Sequence, residues 1–591
     1  MMRLSAIAAA GLLVALVTAI PGLWSGYAQF IVAAIAYTSI GVLSVSALAG
    51  LTGIWSLGHT AFVALGAYLA ANLSEKGVPL EIIVPSAFLA AGLLGFLLGL
   101  FAGRFTILYF GLLTMALCLT STEVIGHAVR FTGGEGGMNV TPARIYLLNT
   151  NVDLKAATFV SVGLATISFM LMSATYASFA GKKWLAVKSQ RTAAASIGIR
   201  PQLENAKAFA LSAAVSSLSG VGIAYSIGFL DPVSFDLNSG VNLIVATVVG
   251  GAGSVLGALV GAFFIVAVPE ASRNVPLVAG FVFGGVVVGM LLLLRQGIVP
   301  SLAAKFKRRE ATTAEQSTHH WSEEAVAALV GRLLPPADRD LEVRGLNLSF
   351  GGVKALSDIS LTLPRGRSVG LIGPNGAGKT SFLNILSGFY EASSGSVRLG
   401  DVDMLALGVS DRQGAGLGRT FQHAELFREL TLREMVEVSA ELGAANRATK
   451  GLPAASPKEI AQQILDGLDL IRWAHSRPGD LPFGIQKVAD VARVLATGAS
   501  VIALDEPFAG LDKEERAIIR TILNGMRKAE VSILIIDHAV EEVMHISDRA
   551  VVFEFGRLIV EGSPKEVRRH PEVLRAYFGS SQAAATGVDV I

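Results

Sequence analysis

The chain has 591 residues, more than an ordinary single domain, and therefore predicts at least two domains. Hydrophobic residues make up 52% and charged residues only 16%, which excludes a wholly soluble protein of ordinary composition. The net charge of +2 predicts no nucleic-acid partner, and the single cysteine, Cys118, excludes an intrachain disulfide.

The first half of the chain is apolar and nearly free of charge. No Asp, Glu, Lys or Arg occurs from Leu4 to Ser74. We interpret Leu4–Ile20 as the first membrane helix, with a cleaved signal peptide as the alternative. At roughly 20 residues per helix, the apolar windows that follow predict about eight to ten crossings. The clearest windows are Ile82–Gly103, Phe105–Thr122, Ala156–Gly181, Ala208–Leu230 and Val275–Leu294.

Glycines interrupt two apolar segments. Leu237–Pro269 is too long for one straight helix and contains Gly250-Gly251-Ala252-Gly253, so we expect two short segments. The positive-inside rule places two basic clusters, Lys182–Arg200 and Arg295–Arg309, in the cytoplasm. The chain must therefore cross the membrane an even number of times between them, and the break makes that number even. Leu51–Tyr68 predicts a similar break. Paired broken segments indicate a substrate path, with close helix packing through small residues as the alternative.

His59 is the only side chain between Arg3 and Glu75 that would titrate near neutral pH. A histidine within a membrane segment suggests handling of a substrate or proton. The alternative is a hydrogen bond to a neighbouring carbonyl.

Residues 301–340 change from apolar to basic and then to polar, which indicates a cytoplasmic linker with a short helix from Ser322 to Leu334. From Leu341 onward, predicted strands alternate with helices. This pattern predicts an α/β domain around a largely parallel sheet, behind a polytopic α-helical membrane domain.

A complete Walker A loop runs from Gly373 to Thr380, between the predicted strand Arg367–Ile372 and a helix beginning at Ser381. Its glycines let backbone N–H groups turn toward the phosphates of ATP. Lys379 reaches the β- and γ-phosphates, and the Thr380 hydroxyl is a ligand for Mg²⁺. The candidate nucleotide-binding residues are Phe350, for stacking on adenine, and Gly373, Asn375, Gly376, Gly378, Lys379, Thr380 and Ser381.

Val501–Glu506 is an apolar strand ending in two carboxylates, the Walker B pattern. Asp505 is expected beside Mg²⁺, and Glu506 is the candidate for orienting or deprotonating the attacking water. Gln422 is a candidate contact to Mg²⁺ and water. His538, which follows the apolar strand Val531–Ile536, is a candidate contact to the γ-phosphate.

Together, these motifs and Ala509-Gly510-Leu511-Asp512 resemble an ABC-transporter ATPase over about residues 341–580. Gly418–Phe427 and the tail around Tyr577-Phe578-Gly579 are similar to the branched-chain amino acid importer ATPases. Ser56–Phe62, Thr132–Gly136 and Val249–Ser254 resemble the permeases of that family. The chain therefore resembles a permease fused to its ATPase.

The resemblance extends to two further motifs. The family's signature, Leu-Ser-Gly-Gly-Gln, corresponds here to Leu481-Pro482-Phe483-Gly484-Ile485, with Asp512 in the D-loop. Pro482 offers neither a hydroxyl nor an N–H group, while Gly484 and the helix N-terminus remain candidate phosphate contacts. The altered signature leaves open whether one of two composite ATP sites is weak.

The second motif is a cytoplasmic permease loop that docks onto the ATPase in this family. Arg191–Ile199 matches its Ala-Ala…Gly pattern, with Arg191, Ala194 and Gly198 as the coupling-helix residues. The family usually has acidic residues before the alanines, whereas this chain has Gln190 and Arg191. The alternative is a merely basic loop at the inner face.

The resemblance implies an ATP-driven importer of branched-chain amino acids or related compounds in the bacterial inner membrane. Its implied partners are a second permease, a second ATPase and a periplasmic solute-binding protein, or a second copy of this chain. The expected domains are a permease at 1–300, a linker at 301–340, an ATP-binding domain at 341–580 and a tail at 581–591. An ABC exporter and an ATP-binding regulator with little turnover are the alternatives.

Overall fold

The structure is a computed structural model that describes residues 25–102, 107–147, 149–271, 297–307, 322–334, 337–449 and 455–578, with isolated positions between 281 and 293. The predicted helix Leu4–Ile20, most of Val275–Leu294, Gly579 and the tail from 581 lie outside these residues. The chain forms two compact units. One contains Met1–Trp184 and Pro201–Glu315, and the other contains Leu185–Arg200 and Gln316–Ile591.

The first unit is helical. Within the described residues, five helices are long and apolar enough to cross a membrane, and two shorter apolar helices follow. The helices of this unit and of the inserted segment are α1 Gly26–Thr52, α2 His59–Glu75, α3 Leu80–Ala102, α4 Ile107–His127, α5 Val129–Thr132, α6 Leu154–Ala177, α7 Phe179–Ser189, α8 Arg191–Ser196, α9 Pro201–Ile227, α10 Leu237–Gly250, α11 Val255–Ala271 and α12 Ile298–Lys307. Two-residue strands pair as β1 Met138–Asn139 with β4 Phe229–Leu230, and as β2 Arg144–Ile145 with β3 Thr150–Asn151.

Both predicted helix breaks are confirmed. Helix α1 ends at Thr52 and α2 begins at His59, while α10 ends at Gly250 and α11 begins at Val255. The second break is attached to α1, because the Gly253 N–H donates to the Ser46 carbonyl and hydroxyl oxygens, each at 3.1 Å. Gly253 has a φ of +80°, a conformation that glycine adopts without strain.

Helix α9 is the centre of the membrane unit and packs against α1, α2, α3 and α6. It begins at Pro201, seven residues before the predicted apolar window, because its first two turns are polar. The ring of His59 is buried, and its Nε2 atom lies 2.6 Å from the Ser212 hydroxyl of α9. This atom therefore bonds a hydroxyl of another helix, and not a neighbouring carbonyl as the alternative interpretation had it.

The second unit contains two sheets. One has four antiparallel strands in the order β6-β5-β8-β9, and the other has six strands in the order β10-β11-β12-β7-β13-β14. All neighbours in the six-stranded sheet are parallel except β13 and β14. The strands are β5 Leu341–Phe350, β6 Val353–Leu363, β7 Ser368–Ile372, β8 Ser394–Leu399, β9 Val402–Asp403, β10 Leu417–Arg419, β11 Val501–Asp505, β12 Ser532–Ile536, β13 Arg549–Glu554 and β14 Arg557–Gly562.

Helices cover the six-stranded sheet, as expected for buried parallel strands. The predicted linker helix is α13, which Ser322 begins by accepting the Ala325 N–H at 3.1 Å. The helices of this unit are α13 Glu323–Leu333, α14 Lys379–Leu386, α15 Val409–Ala415, α16 Leu432–Leu442, α17 Ala444–Thr449, α18 Pro457–Gly467, α19 Phe483–Leu495, α20 Lys513–Lys528, α21 Val540–Ile546, α22 Pro564–Arg568 and α23 Pro571–Phe578.

Candidate functional site

The phosphate loop connects buried strand β7 to helix α14. Gly373, Gly376 and Gly378 have φ values of +152°, +80° and +97°, which side-chain-bearing residues rarely adopt. At Gly373 a Cβ atom would also overlap the Phe553 carbonyl oxygen. The loop therefore needs glycine both for its dihedral angles and for its close approach to β13.

This loop forms one side of a cavity of about 770 Å³. The cavity is lined by Asn375–Ser381 from the loop and α14, by Gln422, Glu506 and His538 from other strand ends, and by Val353, Lys354, Ala355, Phe555 and Gly556. Its volume and its glycine-rich wall fit a nucleoside triphosphate, since backbone N–H groups at a helix N-terminus bind phosphate.

Lys379 is the buried cation of this cavity. Its Nζ atom donates to the carbonyl oxygens of Gly373 at 2.6 Å and Pro374 at 3.0 Å. Burial lowers the pKa of Lys379, while the nearby carboxylates of Glu506, Asp505 and Asp537 act in the opposite direction.

Asp505 ends the buried strand β11 and forms an ion pair with Arg419 at the end of β10. The Arg419 Nη2 atom lies 3.0 Å from Asp505 Oδ2, and both side chains are about 5% exposed. Burial raises the pKa of Asp505, and Arg419 opposes that shift. Sequence reasoning missed this partner, although Arg419 stands three residues before Gln422 at the end of a strand that pairs with β11.

Glu506 brings three predicted site residues together. Its carboxylate accepts a hydrogen bond from Gln422 Nε2 at 2.9 Å and lies 3.2 Å from His538 Nε2. Glu506 has a φ of +48°, and its N–H donates to the Ile536 carbonyl at 2.7 Å. A glutamate in the left-handed region is uncommon, and such strain persists where the surroundings hold the residue in place.

Phe350 is the residue predicted to stack on adenine. It is half exposed, contacts the Tyr390 ring edge-on at 5.2 Å between centroids, and is not among the residues that line the cavity. Val353 and Phe555 line the cavity instead. The hairpin between β5 and β6 turns the chain after Phe350, so that Val353 occupies the wall.

The signature segment begins helix α19, with Pro482 as its N-cap residue. The N–H of Gly484 is already engaged, because it donates to Glu515 Oε1 at 3.1 Å. Glu515 also accepts the Asp512 N–H at 3.2 Å in a capping box at the start of α20. Glu515 therefore joins the predicted signature residue Gly484 to the D-loop residue Asp512, and Leu481 is buried.

The predicted coupling residues belong to the second unit, in the segment Leu185–Arg200. Helix α8 contains Arg191 and buried Ala194. Gly198, with a φ of +99°, lies against Gln413, and the neighbouring Ile199 carbonyl accepts the Ser410 hydroxyl at 2.6 Å.

Two ion pairs flank this contact. Lys188 Nζ lies 3.0 Å from Glu429 Oε1, and Arg200 Nη2 lies 2.7 Å from Asp411 Oδ1. Lys188 and Arg200, two of the basic residues around the alanines, thus meet acidic partners in the ATPase.

Comparison with known proteins matches three parts of the chain to family models. The branched-chain amino acid transport permease component matches residues 27–294, the ABC transporter ATPase matches 356–509, and the branched-chain amino acid ATP-binding cassette C-terminal region matches 557–583. The permease match and the apolar helices identify a membrane protein with a cytoplasmic ATPase domain, and this match does not favour the exporter alternative.

Curated relatives match the ATPase part. The high-affinity branched-chain amino acid transport ATP-binding protein BraF of Pseudomonas aeruginosa is 34% identical over 41% of this chain and 98% of its own length. The corresponding LivG of Escherichia coli K12 is also 34% identical, with the same coverage. A solved nucleotide-free ATP-binding cassette from an ABC transporter is 27% identical over 41% of this chain and all of its own, with a TM-score of 0.36.

These relatives are separate ATP-binding proteins, whereas here the cassette follows a permease in the same polypeptide. The ATPase domain binds nucleotide and is an ATP-hydrolysing cassette coupled to transport. The chain therefore belongs to the branched-chain amino acid family of ABC transporters, with a permease component and an ATP-binding cassette joined in one polypeptide.

Proposed function

We propose that this chain imports branched-chain amino acids, or closely related small solutes, across a bacterial inner membrane at the expense of ATP. The observation that carries the proposal is the meeting of Gln422 and His538 at the Glu506 carboxylate, on a phosphate-loop cavity in a chain that also has the permease region. A cassette that only bound nucleotide would not require this arrangement.

In the proposed reaction, Glu506 orients the attacking water and accepts its proton as the γ-phosphate is cleaved. Gln422 holds one carboxylate oxygen, and His538 holds the other and contacts the phosphate. Lys379 exchanges its two loop carbonyls for phosphate oxygens, which stabilises the charge that develops on them. The left-handed backbone of Glu506 keeps its carboxylate aimed into the cavity.

The donor set fits a magnesium ion, because Mg²⁺ prefers hard oxygen ligands. Thr380 and Gln422 line the cavity, and Asp505 immediately precedes Glu506. We assign these three residues to the ion. When bound, Mg²⁺ would neutralise charge on the phosphates.

The segment Leu185–Arg200 is the proposed coupling element. Its ion pairs with Glu429 and Asp411, and the close contact of Gly198 with Gln413, support a role in passing movement between ATPase and permease. The proposed partners are a second permease, a second ATPase and a periplasmic solute-binding protein, or a second copy of this chain. Pro482, Gly484 and Asp512 then face the nucleotide of the partner ATPase.

The proposal is tested by uptake of radiolabelled leucine in cells that carry the wild-type chain or its Glu506→Gln variant, with partner genes intact. We expect uptake to fall at least about a hundredfold in the variant, since it loses the group that activates water. Glu572→Gln is the matched control, because it makes the same change at an exposed position on α23.

Equal uptake in wild type and Glu506→Gln would remove leucine import by this chain. ATP hydrolysis by membranes from the same cells then distinguishes between the remaining interpretations. Hydrolysis that depends on Glu506 indicates another solute, and its absence indicates an ATP-binding regulator.

A further inference from the structure

An ion pair on helix α19 is the most deeply buried pair of charges described in the ATPase unit. The Arg493 side chain is fully buried and the Asp490 side chain is 2% exposed. Arg493 Nε and Nη2 donate to Asp490 Oδ1 at 2.8 and 2.7 Å. Burying two charges costs more free energy than apolar residues would, so the other hydrogen bonds of this pair need an explanation.

On one side, the pair holds the chain that leads to Gln422. Arg493 Nη2 donates to the Arg419 carbonyl at 3.1 Å, and Asp490 Oδ2 accepts the Phe421 N–H at 3.1 Å. The guanidinium of Arg419 in turn binds Asp505. Two hydrogen-bonded steps therefore connect the pair to the Walker B carboxylate, and one peptide unit separates it from Gln422.

On the other side, the pair reaches the segment Leu185–Arg200. Arg493 Nη1 donates to the Ser196 hydroxyl at 3.4 Å. Ser196 ends helix α8 and is 8% exposed, and its own hydroxyl donates to the Ala193 carbonyl at 2.9 Å. Arg493 thus contacts both α8 and the strand end before Gln422.

We propose that Asp490 and Arg493 are positioning residues that keep Gln422 and the Arg419–Asp505 pair aligned with helix α8. This inference rests on the proposed function, since it gives the coupling segment a physical route to the reacting groups. A displacement of Ser196 alters the bond to Arg493, and the ion pair passes that change to the Arg419 carbonyl and the Phe421 N–H. Buried charged networks transmit such shifts because each member has few alternative partners.

The test is a double-mutant cycle between Ser196→Ala and Arg493→Lys in the full chain with its partner subunits. ATP hydrolysis is measured in inside-out membrane vesicles after subtraction of the Glu506→Gln rate. We expect Ser196→Ala to change kcat at least about threefold while KM for ATP stays within about twofold. In the Arg493→Lys background, Ser196→Ala should have no further effect.

Ser439→Ala is the control, because Ser439 is also buried and its hydroxyl donates to the Met435 carbonyl of its own helix. A purely structural role would change the thermal stability of both serine variants and leave their kcat values alike. Asp490→Glu restores the carboxylate and should recover more activity than Asp490→Ala.

The inference is overturned if Ser196→Ala leaves kcat unchanged, or if the effects of Ser196→Ala and Arg493→Lys multiply as independent changes do. Failure of the proposed function has a different signature. It shows as wild-type vesicles that hydrolyse no ATP beyond the Glu506→Gln background, or as wild-type cells that take up no leucine. Absence of ATP hydrolysis in wild-type vesicles would also overturn the inference. Absence of leucine uptake alone would not, because the double-mutant cycle measures ATP hydrolysis.

Discussion

Glu515 accepts a backbone N–H that the sequence assigns to a partner's phosphate. Its carboxylate accepts the Gly484 N–H while it also closes the capping box with Asp512. A carboxylate at a helix N-terminus is stabilised for the same reason that a phosphate is. Under the proposed function, a phosphate that binds the Gly484 N–H displaces Glu515 from it.

We expect Gly484→Ala to lower ATP hydrolysis at least about tenfold, because its Cβ atom would overlap the Glu515 carboxylate and add a methyl group beside the N–H proposed to contact phosphate. The measurement is steady-state ATP hydrolysis by the full chain with its partners. Gly479→Ala is the control, since a Cβ atom there meets nothing within 4 Å. Equal rates in wild type and Gly484→Ala would contradict a phosphate contact at this position.

At the scale of the elements, helices α2 and α9 cross with their backbones in contact. A Cβ atom on Gly220 would overlap the Val63 carbonyl oxygen, and one on Gly66 would overlap the Ser217 carbonyl. Close approach through small residues is the usual way in which membrane helices gain packing energy. The crossing follows the break at Gly53–Gly58 and carries His59 onto Ser212, so close helix packing accounts for part of the glycine pattern there.

We expect Gly220→Ala to destabilise the membrane unit by about 1–3 kcal/mol, since the two helices must separate to admit a methyl group. The measurement is the apparent melting temperature of the purified full chain in detergent. Gly163→Ala on α6 is the control, because no atom lies within 4 Å of its Cβ position. It should not lower the melting temperature, as alanine favours helix over glycine. Similar losses in both variants would contradict the close crossing.

At the scale of the whole molecule, one segment belongs to a different structural unit from the residues on either side of it in the sequence. Leu185–Arg200 is flanked on both sides by permease sequence and belongs to the ATPase unit. Lys188 and Arg200 attach it to Glu429 and Asp411, so a basic segment meets an acidic surface. This segment lacks the acidic residues that the family usually has before the alanines of α8. In this chain the carboxylates of the contact lie on the ATPase instead.

We expect Glu429→Lys to lower leucine uptake about two- to fivefold, since a partly exposed ion pair contributes up to about 1 kcal/mol and its reversal adds repulsion. Lys188→Glu combined with Glu429→Lys should recover uptake. The measurement is the initial rate in cells with partner genes intact. Glu342→Lys, which breaks the exposed pair with Arg344 on β5, is the control. A double variant no better than Glu429→Lys would contradict the pairing.

Much of the fold could be predicted from the sequence, because its signals are local. The apolar run Val501–Glu506 placed β11 within a residue of its observed bounds, and the predicted strands begin at Leu341, where β5 begins. The linker helix predicted from Ser322 to Leu334 corresponds to α13. The Walker A glycines indicated the loop through their conformational freedom. The order and spacing of the motifs predicted that Gln422, Glu506 and His538 belong to one ATP site.

The sequence by itself determined the membrane and ATPase parts, the phosphate loop and the two helix breaks, because each depends on neighbours along the chain. Only the tertiary structure decided that Val353 and Phe555, rather than Phe350, line the cavity. It also decided that Arg419 pairs with Asp505, that Glu515 binds Gly484, and that Arg493 reaches Ser196. These contacts join residues 31 to 297 positions apart, or turn on the direction of one hairpin. A buried polar group takes its partner from whichever strand or helix packs against it, and no local pattern encodes that choice.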